Sequence, residues 1–255
     1  MPFSFLRKPL DKLYLFVHIP KCAGTTVLAS LRALGGKRLI EVAHSPESKR
    51  QAFSDLKKAV EKRRISFDTV DAIAGHDVFH GMHEVSYRPA FYFTVLRDPT
   101  ARYISHYKHL VDRACDTTSG DFKFARSRIL ENGKPISLHE FASRQNMTNV
   151  MTNYLAAAAH PDRSTKRWQV TSPDDLLDLA EQSLKQMSWI GFVENYPADL
   201  QHICSLLRVK PARASNQSIT RVANQLPEKT MELIRFNNSL DLKVYEMAKQ
   251  LRSLS

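Results

Sequence analysis

The chain has 255 residues, 43% of them hydrophobic, which suits a single α/β domain over residues 1–255 with a sizeable core and no linker, repeat or low-complexity tract. A formal net charge of +11 predicts attraction to anions, whether nucleotide, acidic glycan, nucleic acid or an anionic membrane surface, and charge alone does not choose among them. The three cysteines, Cys22, Cys115 and Cys204, lack a CxxC pair, which argues against a disulfide scaffold or structural zinc and points to a reducing compartment.

In chain order, the N-terminal stretch has no apolar segment long enough for a membrane span, and its one apolar run, Leu13–Ile19, reads as a buried strand. Pro20-Lys21-Cys22-Ala23-Gly24 follows as a turn, and Thr25 or Thr26 as the N-cap of a helix ending near Gly35 and Gly36. A strand, a small Lys-bearing loop and a helix make an anion site, because the first helical N–H groups lack internal partners and the helix dipole adds positive potential. The loop is not GxxxxGK[ST], since Lys21 opens it, and it is not a Cys-based phosphatase loop, since Leu28 stands where an Arg is needed.

Strands are expected at Arg38–Val42, Val70–Gly75, Phe91–Leu96 and Trp189–Val193, with helices after most of them, an alternation that argues for a parallel sheet covered on both faces. The helix after Pro46 carries Lys57, Lys58, Lys62, Arg63 and Arg64, whose plain reading is a solvated face. After Val70–Gly75 come His76, His80 and His83, a spacing that permits a helical metal site but has no HExxH and no nearby Cys, so no metal is assigned. After Phe91–Leu96, Arg97 sits at a strand's carboxyl end, Asp98 caps a helix with Pro99 at its first position, and Ser105 lies about two turns in, on the face of Arg102. Arg97 and Ser105 can thus close on one phosphate. Cys115–Pro135, polar with Gly120 and Gly133 as breakers, reads as an insertion or mobile loop, while Pro173–Met187, Pro197–Leu207 and Pro227–Leu251 read as helices.

Together Ile19-Pro20-Lys21-Cys22-Ala23-Gly24-Thr25-Thr26 and Arg97-Asp98-Pro99-Thr100-Ala101-Arg102-Tyr103-Ile104-Ser105-His106-Tyr107 resemble the IPKxxxTS and RDPxxRxxSxY motifs of sulfotransferases that use 3′-phosphoadenosine 5′-phosphosulfate (PAPS), especially the heparan sulfate 2-O type. Trp189 to Glu194 is similar to that family's late strand, and Ser215 to Arg221 to its cofactor-covering loop. The resemblance implies a P-loop-like three-layer sandwich with a central parallel sheet flanked by helices. It implies in-line transfer from PAPS, leaving adenosine 3′,5′-bisphosphate (PAP), to a carbohydrate or glycolipid hydroxyl, without metal. Lys21, the N–H groups of Cys22, Ala23, Gly24, Thr25 and Thr26 and the two threonine hydroxyls would hold the 5′-phosphate. Arg97 and Ser105 would take the 3′-phosphate, and Ser218 and Arg221 would close over the nucleotide. A Gly-His pair at the matching place nominates His76 as the base, with His80 as rival. Animal members are usually anchored in the Golgi by an N-terminal helix, so the expectation is a soluble, cytoplasmic enzyme of bacterial type, with peripheral membrane contact only through basic surface. The alternatives are a P-loop small-molecule kinase, disfavoured by the loop order, and a basic nucleic-acid binder, for which no zinc finger, RNP motif or aromatic–basic interleaving is present.

Overall fold

Every residue of strand β1 (Leu13–Val17) is buried, because its alternating side chains feed two different cores. On one face Tyr14 and Phe16 join Phe93 and Val95 of β4 (Ala90–Leu96), Val27 and Leu31 of α1 (Gly24–Leu31), and Leu200 and Ile203 of the helix Tyr196–Leu206. On the other, Leu13, Leu15 and Val17 join Ile40 of β2 (Leu39–Val42), Ile73 of β3 (Ala72–Gly75), and Phe53 and Val60 of α2 (Lys49–Lys62). Each such side chain taken fully out of water contributes about 1.5–3 kcal/mol. The computed structural model describes residues 8–42, 49–62, 66–118, 122–145, 147–160, 172–213 and 226–254.

The main sheet has the order β2-β3-β1-β4-β7, with β7 at Trp189–Phe192 and every neighbouring pair parallel. With helices on both faces this is the three-layer α/β sandwich anticipated from the sequence; four of its five strands fall within the stretches expected, and β4 begins one residue early. Lys57, Lys58 and Lys62 are exposed on α2, as expected of a solvated face, while Arg63 and Arg64 lie outside the described residues.

Cys115–Pro135 departs from the expected loop. Helix α3 (Pro99–Cys115) is followed by α4 (Phe122–Ile129) and by a small hairpin of β5 (Leu130–Glu131) and β6 (Lys134–Pro135) turning on Asn132 and Gly133, both at positive φ. Ala125 and Ile129, one helical turn apart, are buried against Tyr103, Ile104 and Phe141, and that packing outweighs the segment's polar composition. Helices α5 (Leu138–Ser143) and α6 (Val150–Ala159) were not anticipated either; α7 (Pro173–Lys185), α8 (Tyr196–Leu206), α9 (Glu228–Asn237) and α10 (Ser239–Ser253) match the helices expected.

Candidate active site

The strand order reverses at β1, with β3 and β2 on one side and β4 and β7 on the other, so a crevice opens at the carboxyl ends of β1 and β4. A cleft of about 520 Å³ lies there, and its walls include Lys21, Thr25, His76, Arg97 and Ser105.

The loop after β1 turns through two left-handed residues, Lys21 (φ 68°) and Ala23 (φ 57°). That conformation costs a non-glycine residue about 1–2 kcal/mol. It starts α1 at Gly24 with Ala23 as N-cap, which corrects the expected cap at Thr25 or Thr26. The threonines are placed differently: Thr25 is exposed, while Thr26 is buried beside the Tyr196 hydroxyl. Tyr196 in turn donates to the Ala23 carbonyl at 3.1 Å.

The amide cradle is also narrower than expected. The Cys22 N–H donates to the Ile19 carbonyl at 3.4 Å and the Thr26 N–H to the Ala23 carbonyl at 3.1 Å. Among the described residues the N–H groups of Ala23, Gly24 and Thr25 have no acceptor, and these point the anion site. Burial, then the neighbouring Arg97, lowers the Lys21 pKa, and Asp112 opposes that shift. Cys22 is buried beneath the loop and its thiol is pushed up to about 12 by burial, so it packs as a small apolar side chain rather than a nucleophile.

Across the cleft, Asp98 caps α3 by accepting from the Ala101 N–H at 2.8 Å, with Pro99 at the first helical position. Its own N–H donates to Glu194 Oε1 at 2.8 Å, while Glu194 Oε2 accepts from the Tyr245 hydroxyl at 2.7 Å. This clamp fixes the turn that presents Arg97, a buried guanidinium whose Nη1 donates to the Lys21 carbonyl at 3.4 Å. Ser105 is buried in the cleft wall. Arg102 is not in that wall: fully buried, it donates through Nη2 to the Met147 carbonyl at 3.0 Å and lies 3.7 Å from Asp241.

His76 enters from β3. Gly75 before it has φ 153°, and a Cβ there would stand 2.2 Å from the Val42 carbonyl oxygen, so only glycine fits. His76 Nδ1 is 2.7 Å from the His18 carbonyl, a contact that places the proton on Nδ1 and the lone pair on Nε2. The ring stacks on His18 at 4.2 Å and meets the edge of Tyr154 at 5.7 Å. His80 and His83 lie elsewhere: His80 Nε2 is 2.9 Å from Ser183 Oγ, and His83 Nδ1 is 3.0 Å from the Tyr92 hydroxyl. Among the described residues no three His, Cys, Asp or Glu side chains gather as a metal site.

Two histidines in this cleft escape a reading of the sequence. His18, 9% exposed, is held uncharged, its pKa lowered to about 3 by burial and then by His76. His106, 7% exposed, follows Ser105 in the wall and is lowered to about 3 by burial, then by Arg102. Among the described residues neither ring nitrogen of His106 has a hydrogen-bond partner. The spacing of Ser105, His109 and Asp112, one turn apart on α3 and all in the cleft, is the sequence signal for this helix face. Ser218 and Arg221 lie outside the described residues. The three cysteines are free, and among the described residues no helix is long and apolar enough to cross a membrane.

Comparison with known proteins gives this geometry a family. The model of the Sulfotransferase family matches residues 4–248. Heparan-sulfate 6-O-sulfotransferase 3-B of Danio rerio is 28% identical over 187 residues, covering 64% of this chain and 43% of the relative, so the match spans less than half of that longer protein. That relative is named as a 6-O enzyme, where the motif likeness pointed to the 2-O type. A crystal structure of a sulfotransferase from Alicyclobacillus acidocaldarius aligns over 94% of this chain and 95% of its own, at 12% identity and a TM-score of 0.45. With nearly its whole length matched, the chain belongs to the sulfotransferase family.

Proposed function

We propose that this chain transfers the sulfuryl group of PAPS to a hydroxyl of a glycan or glycolipid, in the cytoplasm. One observation carries the reading: two anion holders, Lys21 with three idle amides and Arg97 with Ser105, face a single cleft that His76 enters from a third strand end. That arrangement fits a nucleotide bearing phosphates at both its 5′ and 3′ positions. PAPS supplies an activated sulfuryl group, whose S–O bond to the 5′-phosphate breaks as the acceptor oxygen bonds to sulfur.

Lys21 and the N–H groups of Ala23, Gly24 and Thr25 neutralise the charge that grows on the departing phosphate oxygen. Arg97 and Ser105 grip the 3′-phosphate and set the distance between the two ends of the nucleotide. His76 takes the acceptor proton on Nε2, the nitrogen its bond to the His18 carbonyl leaves basic. The free cysteines support the cytoplasmic setting, and the basic surface together with the heparan-sulfate relative supports an acidic glycan.

Radiolabelled PAPS offered with a panel of glycolipids and heparan sulfates stripped separately at the 2-O and 6-O positions tests the reading. Label is expected on a glycan or glycolipid, and the stripped position that restores acceptance names the site of transfer. Absence of transfer across the panel, with phosphate transfer from Mg²⁺-ATP in its place, would move the assignment to a kinase.

A further inference from the structure

Phe16, His18 and His76 form a stack that runs from the core into the cleft. The His18 ring lies 5.4 Å from Phe16 at 16° and 4.2 Å from His76 at 21°. Its edge fills the space over Gly24, where an added Cβ would stand 2.0 Å from His18 Cδ2 and 2.1 Å from Nε2. The carbonyl of the same residue faces His76 Nδ1 at 2.7 Å, and its N–H donates to the Gly75 carbonyl at 3.1 Å. His18 therefore touches the start of the phosphate-loop helix, the strand end before the base, and the base itself.

We propose that His18 is a positioning residue, a flat wedge that sets where His76 stands relative to the phosphate loop; the inference rests on the role given to His76 above. Tying both to one ring makes the distance between leaving group and base a property of a single packed unit. An error of about 1 Å in such a distance can cost about 100-fold in rate. The wedge serves only while uncharged, because a second positive charge 4.2 Å away would oppose the proton His76 receives. Burial keeps it so, with the His18 imidazole lowered to about 3. The tight fit over Gly24 also explains a glycine at a helix start where the backbone does not require one: a methyl group there would drive His18 into His76.

The test is a double-mutant cycle between positions 18 and 24, read by ¹⁵N spectra of the histidine rings in the free protein, with His76→Gln assigning the His76 signals. Wild type should show His76 protonated on Nδ1 alone. His18→Ala should bring in the second tautomer, and Gly24→Ala should shift the His76 signals. The double variant should match His18→Ala, because the methyl group then has no ring to displace. Sulfate transfer from PAPS to O-desulfated heparan sulfate should fall about 10- to 100-fold in His18→Ala, with the PAP dissociation constant within about twofold of wild type. His18→Leu, which refills the volume without a flat ring, should behave like His18→Ala and serves if the alanine variant does not fold. A folded His18→Ala or His18→Leu that keeps the single His76 tautomer overturns the proposal, as do shifts that add independently in the double variant. A wild type that binds no PAP speaks instead against the proposed function and leaves the tautomer result readable.

Discussion

In the proposed reaction Lys21 and His76 act on opposite ends of the transferring group, so their variants should separate. Lys21→Ala removes charge from the nucleotide site and should weaken PAP binding and turnover together. His76→Ala should leave PAP affinity nearly intact and lower turnover by about 10²–10⁴-fold. A His76→Ala enzyme with full turnover would mean that another group takes the proton. The same proposal gives Arg97 and Ser105 the selectivity for a 3′-phosphate. Charge-assisted hydrogen bonds are worth about 1.5–3 kcal/mol each, so Arg97→Ala should weaken PAP by roughly ten- to several-hundred-fold. Adenosine 5′-phosphate, which has no 3′-phosphate to lose, should bind Arg97→Ala about as it binds wild type, and Ser105→Ala should show the same pattern at smaller size. Equal losses for both nucleotides in calorimetric titration would make Arg97 a support of the loop whose Lys21 carbonyl it holds.

At the scale of elements, the site depends on α3 being held against α6 and α10. The tie is the Arg102–Asp241 pair, both side chains fully buried, with Asp241 also accepting from the Met151 and Thr152 N–H groups and the Thr152 hydroxyl. Removing one partner of a buried pair strands the other charge and costs about 3–5 kcal/mol. Asp241→Ala should lose that much in urea denaturation, and Arg102→Met in the same chain should recover part of it; an Asp241→Ala protein of wild-type stability would show the pair to be idle. The elements themselves were unevenly legible in the sequence. The five strands of the main sheet stand out because burial on both faces makes them short apolar runs between polar turns. Helix α6 hides because its run Ala156–Ala159 has no polar face to mark a period, and α4 because Lys123, Arg126 and Arg128 mask the spacing of Ala125 and Ile129. The cap at Ala23 was missed because it works by backbone conformation, not by a side chain. His18 and His106 acquire their character first from burial and then from charged neighbours, and burial is set by the packing of the whole fold, which no local pattern encodes. Lys21, Arg97 and Ser105 stand at fixed offsets from strand ends, whereas His76 is singled out from His80 only by the family likeness of its Gly-His pair.

The whole molecule should register the two buried histidines in its acid stability. His18 and His106 are each lowered from 6.5 to about 3, so the unfolded chain binds two protons that the folded protein refuses. Their contribution is present above pH 6.5 and is lost as pH falls from there towards 3. Each group adds a slope of about 1.4 kcal/mol per pH unit within that window. His106→Gln should therefore flatten the fall in unfolding free energy between pH 6 and 4.5 by about that amount relative to wild type. Parallel curves for the two proteins would show His106 to be protonated in the fold.

The most direct test of the central claim is the melting temperature of the wild-type protein with PAP, with adenosine 5′-phosphate and with Mg²⁺-ATP, the first two in the presence of a chelator. A ligand that binds only the folded state at about 100 times its dissociation constant stabilises it by roughly 2.7 kcal/mol, an easily measured shift. Sulfuryl transfer from PAPS predicts a large shift with PAP alone and a smaller one with adenosine 5′-phosphate. No shift at millimolar PAP, together with a shift from Mg²⁺-ATP, would contradict it.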